Sequence, residues 1–370
     1  MKRIIFIVLG ISWSFLSAQN VKINGRIQYD IEALKGRHDT AWTIGNEFRR
    51  VHLSAAGKLD HGFDYKVEIN LAHARIGFRD MFIRYKSKRW GEIAVGAKAE
   101  PTGLAMSTSS KYISFLERPM LSALQNFRWG AGLHYAYYGL YDGRGGFQLA
   151  LTNKGTNGEG FVDKHLEKGL NAVGRIYMVP YYKKRGKYVL HLGLNGASRP
   201  PADLRFRAEN HMGEKFHYTF PGATRRYERG AEMAVLFDNI SLQGEYKEQN
   251  ITNEVNKDYR VTGYYLMLGM FLTGEHRHYK HGGFGRVKPL HPVGRRGKGA
   301  WELVLRYSEM DMSRDVLDAN SGMPGRLANW SVGLNWYLTG RVRIMYNYIL
   351  THDDDPGRMQ GHLIRFQLDF

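Results

Sequence analysis

The sequence predicts an all-β fold, a transmembrane antiparallel β-barrel of about sixteen strands with inward-folded loops, and three observations carry that expectation. The chain ends on a strictly alternating strand: His362, Ile364, Phe366, Leu368 and Phe370 share one face, Leu363, Arg365, Gln367 and Asp369 the other. The same period of two recurs along the chain with charged residues on the second face, a pattern that a dry core would not tolerate. The amino-terminal segment reads as an export signal, yet no later stretch is long enough to cross a bilayer as a helix. The terminal alternation alone would also suit an edge strand of a soluble sheet, so the other two observations decide.

Residues 1–18 open with Lys2 and Arg3, continue through the apolar stretch Ile4 to Leu16 and close on Ser17 and Ala18. This is the plan of a secretory signal peptide, cleaved before Gln19 to within a few residues. The apolar stretch is too short to span roughly 30 Å of hydrocarbon as a helical anchor. Export without an anchor leaves secretion, the periplasm or an outer-membrane barrel. Tyrosine (23), phenylalanine (18), tryptophan (7) and glycine (43) together suit strands with aromatic girdles and tight turns. There is no cysteine, so no disulfide framework supports the fold. A mean hydropathy of -0.44 fits a soluble chain, but it also fits a barrel whose lumen-facing half is polar. No proline- or serine-rich linker divides the chain, so one barrel domain over 19–370 is simpler than two or three soluble domains.

Taken in order, Ile23, Ile27, Tyr29 and Ile31 oppose Lys22, Asn24, Arg26, Gln28, Asp30 and Glu32 in the first strand. Val51, Leu53, Ala55 and Leu59 oppose Arg50, His52, Ser54 and Lys58 in the second, and Phe63, Tyr65, Val67, Ile69 and Leu71 oppose Asp64, Lys66, Glu68 and Asn70 in the third. Closing such a sheet removes the unpaired edges that hydrocarbon excludes. Further strands are expected near 78–87, 91–99, 129–139, 145–153, 169–182, 187–197, 227–238, 240–249, 259–272, 299–309, 328–338, 341–351 and 360–370. The total is even, as a single-chain bacterial barrel requires. With both termini in the periplasm, the connections 100–128 and 198–226 lie outside and are long enough to fold inward, and Gly340 marks a tight inner turn. Segment 273–298 falls on the periplasmic side, where connections are short; either it enters the lumen or it hides a hairpin.

The formal net charge is +18, or +16 without Lys2 and Arg3. A solvated surface or the phosphates of lipopolysaccharide would absorb part of the excess. Placement points further, because Arg26, Arg50, Lys58, Lys66, Arg84, Lys98, Arg175, Arg306, Arg343 and Arg365 all fall on lumen-facing positions. Rings of Arg or Lys in a pore select anions. Segment 273–298 adds Arg277, Lys280, Arg286, Lys288, Arg295, Arg296 and Lys298 against Glu275 alone, which suits a cationic vestibule. An exported barrel seldom meets nucleic acid, so no nucleic-acid partner is expected.

The order of FRRVHLSAAGKL from Phe48, RDMFIRY from Arg79, STSSKYISFLERP from Ser107, FLTGEHRHY from Phe271, GGFGRVKP from Gly282, GAWELVLRYS from Gly299 and GLNWYLTGRVRIMYNY from Gly333 resembles the phosphate-selective porins of Gram-negative outer membranes. The resemblance implies a trimeric sixteen-stranded barrel whose third outer loop folds inward, with arginines leading anions to a narrow zone. It implies anion-contacting roles for Arg26, Arg49 and Arg50 on the first two strands, an opposing acid at Asp80, an inward-loop lysine at Lys111 and periplasm-side lysines at Lys288 and Lys298. Alternation turns Arg49 toward lipid, unless a bulge brings it inward beside Arg50. Arg118 is expected to pair with Glu117 and hold the loop. The terminal phenylalanine resembles the signal read by the barrel-assembly machinery, a further expected partner beside outer-membrane lipid and lipopolysaccharide.

Other motifs are weaker. His276, His278 and His281 sit among cations with no paired carboxylate, so no metal site is expected; Asp353, Asp354 and Asp355 read as a solvated loop before a Ca2+ site. GGFGRV lacks the strand-to-helix setting of a nucleotide fingerprint, and no cofactor is implied. The expected function is passive uptake of phosphate or similar small anions through a water-filled channel, not catalysis. The alternatives are an outer-membrane barrel enzyme of protease or phospholipase type, which would be a smaller and plugged barrel, and a structural or secretion barrel.

Overall fold

The computed structural model describes residues 21–37, 39–74, 76–125, 129–153, 169–254, 258–294, 296–354 and 358–370; the expected signal segment, Arg295 and Asp355 lie outside them. The barrel wall begins with β1 (Lys22–Lys35), β2 (Thr43–Lys58), β3 (Phe63–Asn70), β4 (Gly77–Ser87), β5 (Gly91–Ala99), β6 (Trp129–Leu140), β7 (Gly145–Asn153), β8 (Asn171–Lys183) and β9 (Tyr188–Arg199). A small hairpin, β10 (Leu204–Arg207) with β11 (Lys215–Tyr218), interrupts it before β12 (Ala223–Phe237), β13 (Ile240–Asn253) and β14 (Asp258–Phe271). A second, two-residue hairpin, β15 (Tyr279–Lys280) with β16 (Gly283–Phe284), precedes β17 (Ala300–Met312), β18 (Arg326–Tyr337), β19 (Val342–Asp353) and β20 (Arg358–Asp369). Leaving out the two hairpins, sixteen strands run in chain order as a closed antiparallel barrel, sealed by β1 against β20.

All sixteen expected strands are present, and their alternation has the expected sense. Arg26, Gln28, Asp30 and Glu32 of β1 are buried inward while Ile23 and Ile27 are exposed outward. On the outer surface Ile83, Val95 and Leu194 are 59–62% exposed, and exposed aromatics flank the strands, Trp90 and Tyr141 in the turns and Trp42 just before β2. A continuous apolar wall with aromatic borders is the surface that a bilayer solvates. The turns 59–62, 88–90, 141–144, 184–187, 238–239 and 338–341 lie at the end that carries both termini, which identifies that end as periplasmic. The main difference from expectation is β2, which begins at Thr43, ahead of the expected start. A bulge opposite Gln28 and Tyr29 makes Arg49 the extra residue. Positions before it therefore face outward on even numbers (Ile44, Phe48) and those after it on odd numbers, so one alternating pattern cannot describe both halves.

The lumen is not uniformly water-filled, which corrects the sequence reading. Both long outer connections fold in. Leu121 and Leu124 from the first, and Leu204, Phe206, Phe216 and Tyr218 from the second, pack with wall residues Ile251, Val261, Met267 and Met310 into a buried apolar core inside the barrel. The stretch 275–284 of the segment 273–298 also enters the lumen, from the periplasmic end, and the β15–β16 hairpin is the pairing that the sequence pattern concealed. Tyr279 of that hairpin bonds His191 at 2.7 Å, Arg175 donates to the Gly282 carbonyl at 2.6 Å, and the Phe284 amide donates to Thr108 of the first loop at 3.3 Å.

Backbone that leaves the sheet inside a barrel still needs hydrogen-bond partners. The wall, together with Glu209 of the second connection, supplies them as side chains. Glu245 accepts from the amides of Leu104 and Ala105, Asn347 from Leu116, and Glu209 from Met120; Arg343, Arg365, Arg306 and Asn335 donate to the carbonyls of Ile113, Leu116, Glu117 and Ser114. Gly103 makes the first of these contacts possible. Its φ of +120° is costly for other residues, and a Cβ there would stand 2.2 Å from the Glu245 carboxylate. Gly103→Val is therefore expected to release the loop from Glu245, seen as increased proteolysis between 104 and 125 with the barrel intact.

Candidate functional site

With the β12–β18 side of the lumen filled, an open cavity of about 410 Å³ remains against the first strands of the wall. Arg26 of β1, His52 of β2, Lys66 and Glu68 of β3, Asp80 of β4 and Lys111 of the inward loop line it, with Trp129 and the serines 54, 107, 109 and 110. Four neighbouring strands bring the wall residues together because their lumen-facing positions lie side by side: Arg26 is paired with His52, and Ser54 with Glu68. The loop comes from 84 residues away to place Ser110 2.6 Å from Arg26.

The cavity is less cationic than a count of its bases suggests. Lys66 donates to Glu68 at 2.6 Å and to Asp80 at 2.7 Å, and Trp129 Nε1 donates to the other Asp80 oxygen at 2.8 Å. Arg26 lies 2.5 Å from His52 Nδ1 and 3.8 Å from Glu68. Among the described residues, no hydrogen bond or carboxylate contact falls on the Lys111 ammonium; its recorded neighbour is the Tyr112 ring, 5.8 Å from Nζ to centroid. Burial, reinforced by Arg26, pushes the Lys111 pKa below the ordinary lysine value, while Asp369 acts the other way.

On the outer side of this cavity stands a guanidinium cluster. The bulge in β2 turns Arg49 inward beside Arg50, and both bind Glu117 of the loop: Arg49 in a fork of 2.8 and 3.1 Å, Arg50 at 3.2 and 3.3 Å. Arg365 adds a third contact through Nη2 at 3.0 Å, while the same Nη2 and its Nε donate to Asp30 at 2.6 and 2.7 Å. Burial alone would raise the Glu117 pKa; the three guanidiniums overcome it and hold the carboxyl well below the usual range. The expected Arg118 to Glu117 pairing is replaced by this arrangement. Arg118 holds the loop through the carbonyls of Ala105 and Thr108 instead, at 2.9 and 2.7 Å.

Several other lumen bases are also spoken for: Arg175 by Glu232 at 2.5 Å, Arg306 by Glu209 at 2.5 Å, and Arg84 by Asp64 and Glu92 at 2.9 Å. The uniform arginine lining that alternation suggested is thus largely a set of anchors. On the periplasmic side Lys288 and Lys298 are exposed, and the base that reaches the loop is Arg286. It contacts Asp369 and the Gly340 carbonyl and lies 3.5 Å from the Tyr112 hydroxyl. Sequence reasoning counted Arg286 but did not separate it from its neighbours, and it missed Glu117, His52 and Glu68 as site residues. The polar alternation of β2 and β3 already pointed the last two inward.

His276, His278 and His281 do not converge: His276 bonds the Arg277 carbonyl and His281 packs on Tyr138. Among the described residues no group of three histidines or acids is arranged to hold a metal ion. Asp353 pairs with Arg37 at 3.1 Å and Asp354 accepts the Arg326 amide at 2.8 Å.

Comparison with known proteins follows this geometry. The chain is 29% identical to an uncharacterized protein of Caulobacter vibrioides over 95% of its own length and 74% of that protein. It is 24% identical to Porin O of Pseudomonas aeruginosa, over 94% and 88%. Among solved structures its barrel matches the anion-selective porin of Comamonas acidovorans with a TM-score of 0.63 at 12% identity, covering 95% of this chain and all of that one. A trimer form of OmpT from Vibrio cholerae matches at 0.55 and 11%, over 95% and 100%. The family model described as phosphate-selective porin O and P matches residues 21–370. A closed sixteen-stranded barrel with an inward loop and a mixed-charge constriction is what this match spans, and the chain belongs to the phosphate-selective porin O and P family.

Proposed function

We propose that this outer-membrane porin is an anion-selective channel for passive uptake of phosphate or similar small anions. The observation that carries the reading is Lys111, an inward-loop ammonium facing the one-sided cavity with no carboxylate partner among the described residues. Arg26 stands beside it, its guanidinium 2.6 Å from Ser110, and the cluster of Arg49, Arg50 and Arg365 keeps a positive excess over Asp30 and Glu117 on the outer approach. Asp80 and Glu68 oppose these bases, so an anion is attracted yet leaves. Lys288 and Lys298 contribute to a periplasmic vestibule. Residues 1–18 are assigned as the cleaved export signal and the rest as the porin domain.

The test is planar-bilayer conductance of the purified protein in a potassium chloride gradient. A reversal potential on the anion side, with chloride current reduced by added phosphate, is the expected outcome; cation preference would refute the reading. A homotrimer is proposed on the strength of the family and of the OmpT trimer form, and monomers in mild detergent by light scattering would refute it.

Phe370 is proposed as the contact for the barrel-assembly machinery. Its backbone pairs with Gly25 at 2.9 and 3.1 Å and its ring fills the space above that glycine. Deleting Phe370 is expected to lower the amount of protein in the outer-membrane fraction severalfold, measured by immunoblot.

A further inference from the structure

The four carboxylate oxygens of Glu68 and Asp80 are not exhausted by the contacts they make. His52 stands 2.9 Å from one Glu68 oxygen and Lys66 2.6 Å from the other; on Asp80 the partners are Trp129 at 2.8 Å and Lys66 at 2.7 Å. A carboxylate offers about four lone-pair sites, so each group retains acceptor capacity toward the cavity it lines. An anion without O–H donors, such as chloride or a plain carboxylate, has no use for these acceptors and is repelled by them. A ligand that carries hydroxyl donors beside one negative charge satisfies both sides of the cavity: Lys111 and Arg26 receive the anionic head, and Glu68 and Asp80 accept from the hydroxyls. Serines 54, 107, 109 and 110 add groups that both donate and accept.

Size points the same way. About 410 Å³ is in the range, roughly 300–1,000 Å³, of sites that hold small organic molecules. One inorganic anion would leave most of it to water. Charge agrees too: Lys66 is neutralised by two carboxylates, so the cavity has the balance for a monoanion rather than a polyanion.

We propose that the constriction prefers hydroxylated organic monoanions, of the sugar-acid class, over inorganic phosphate. This rests on the anion-channel reading above and narrows its substrate class. The experiment measures block of chloride current through the purified protein in planar bilayers by four probes: gluconate, hexanoate, orthophosphate and sorbitol. Gluconate and hexanoate share chain length and head group and differ in the hydroxyls. Gluconate is expected to half-block at a concentration about tenfold below both hexanoate and orthophosphate, the effect of about 1.4 kcal/mol, with sorbitol inert. In Asp80→Asn and, separately, Glu68→Gln, the gluconate to hexanoate ratio is expected to fall to about threefold or less, while orthophosphate block strengthens because the cavity loses one negative charge and Lys66 keeps a single carboxylate. Heat-modifiable migration of the unboiled barrel on gels confirms that either variant is folded, and one folded variant suffices. Equal block by gluconate and hexanoate, or tightest block by orthophosphate, overturns the proposal while leaving an anion channel. Absence of anion selectivity in the salt gradient overturns the channel reading and this proposal with it.

Discussion

Lys111→Glu is expected to move the reversal potential toward the cation side and to weaken phosphate block at least tenfold. Two unit charges at about 4 Å interact by roughly 4 kcal/mol at an effective dielectric near 20, against about 1 kcal/mol in water. Lys111 is half-buried in the narrow zone and makes no direct carboxylate contact among the described residues, so its charge acts nearer the higher figure. Arg326 provides the contrast. It is exposed on the outer side and already paired with Glu309 at 2.7 Å, so Arg326→Gln is expected to leave both readings within error. Because burial lowers the Lys111 pKa, raising the pH should weaken block before an ordinary lysine would discharge. Reversal potentials and phosphate titrations for both variants check this. An unchanged Lys111→Glu channel would place the selectivity elsewhere.

Glu117→Gln is expected to produce the largest structural effect of any single change in the lumen. The carboxylate serves Arg49, Arg50 and Arg365 together, and its removal leaves buried guanidiniums with only Asp30 and neutral partners. Removing one partner of a buried ion pair costs about 3–5 kcal/mol. The barrel wall does not depend on it, so the loss should fall on the loop: a larger single-channel conductance, a noisier open state, and new cleavage between 104 and 125 by added protease. Unchanged conductance and protection would show that backbone anchors such as Asn347 and Glu245 suffice to seat the loop.

How much of this was legible in the sequence depends on how local the signal is. Alternation is a property of neighbours, so the sixteen strands and their lumen faces could be read directly, including Arg26 and His52, whereas Asp80 came from the resemblance. The bulge at Arg49 was visible only as a conflict between alternation and resemblance; the structure resolves it through the register shift opposite Gln28 and Tyr29. Long-range pairing left no local trace. Nothing around Arg306 or Arg365 announces that one meets Glu209 and the other Asp30 and Glu117, so a count of lumen bases overstated the free positive charge. The same holds for the loops: Leu121, Phe206 and Tyr218 read as ordinary loop apolars until they are seen packed on Val261 and Met310.

That inner core has a consequence for biogenesis. Its members come from three outer connections and from β13, β14, β17 and β18; those strands are neighbours, but the connection 100–128, which leaves the wall between β5 and β6, reaches them only once the wall has curled round. Loop seating therefore follows wall closure. A wall closed without that connection lacks Lys111 and the narrow zone it helps to line, so discrimination is completed by the loop and not by the wall.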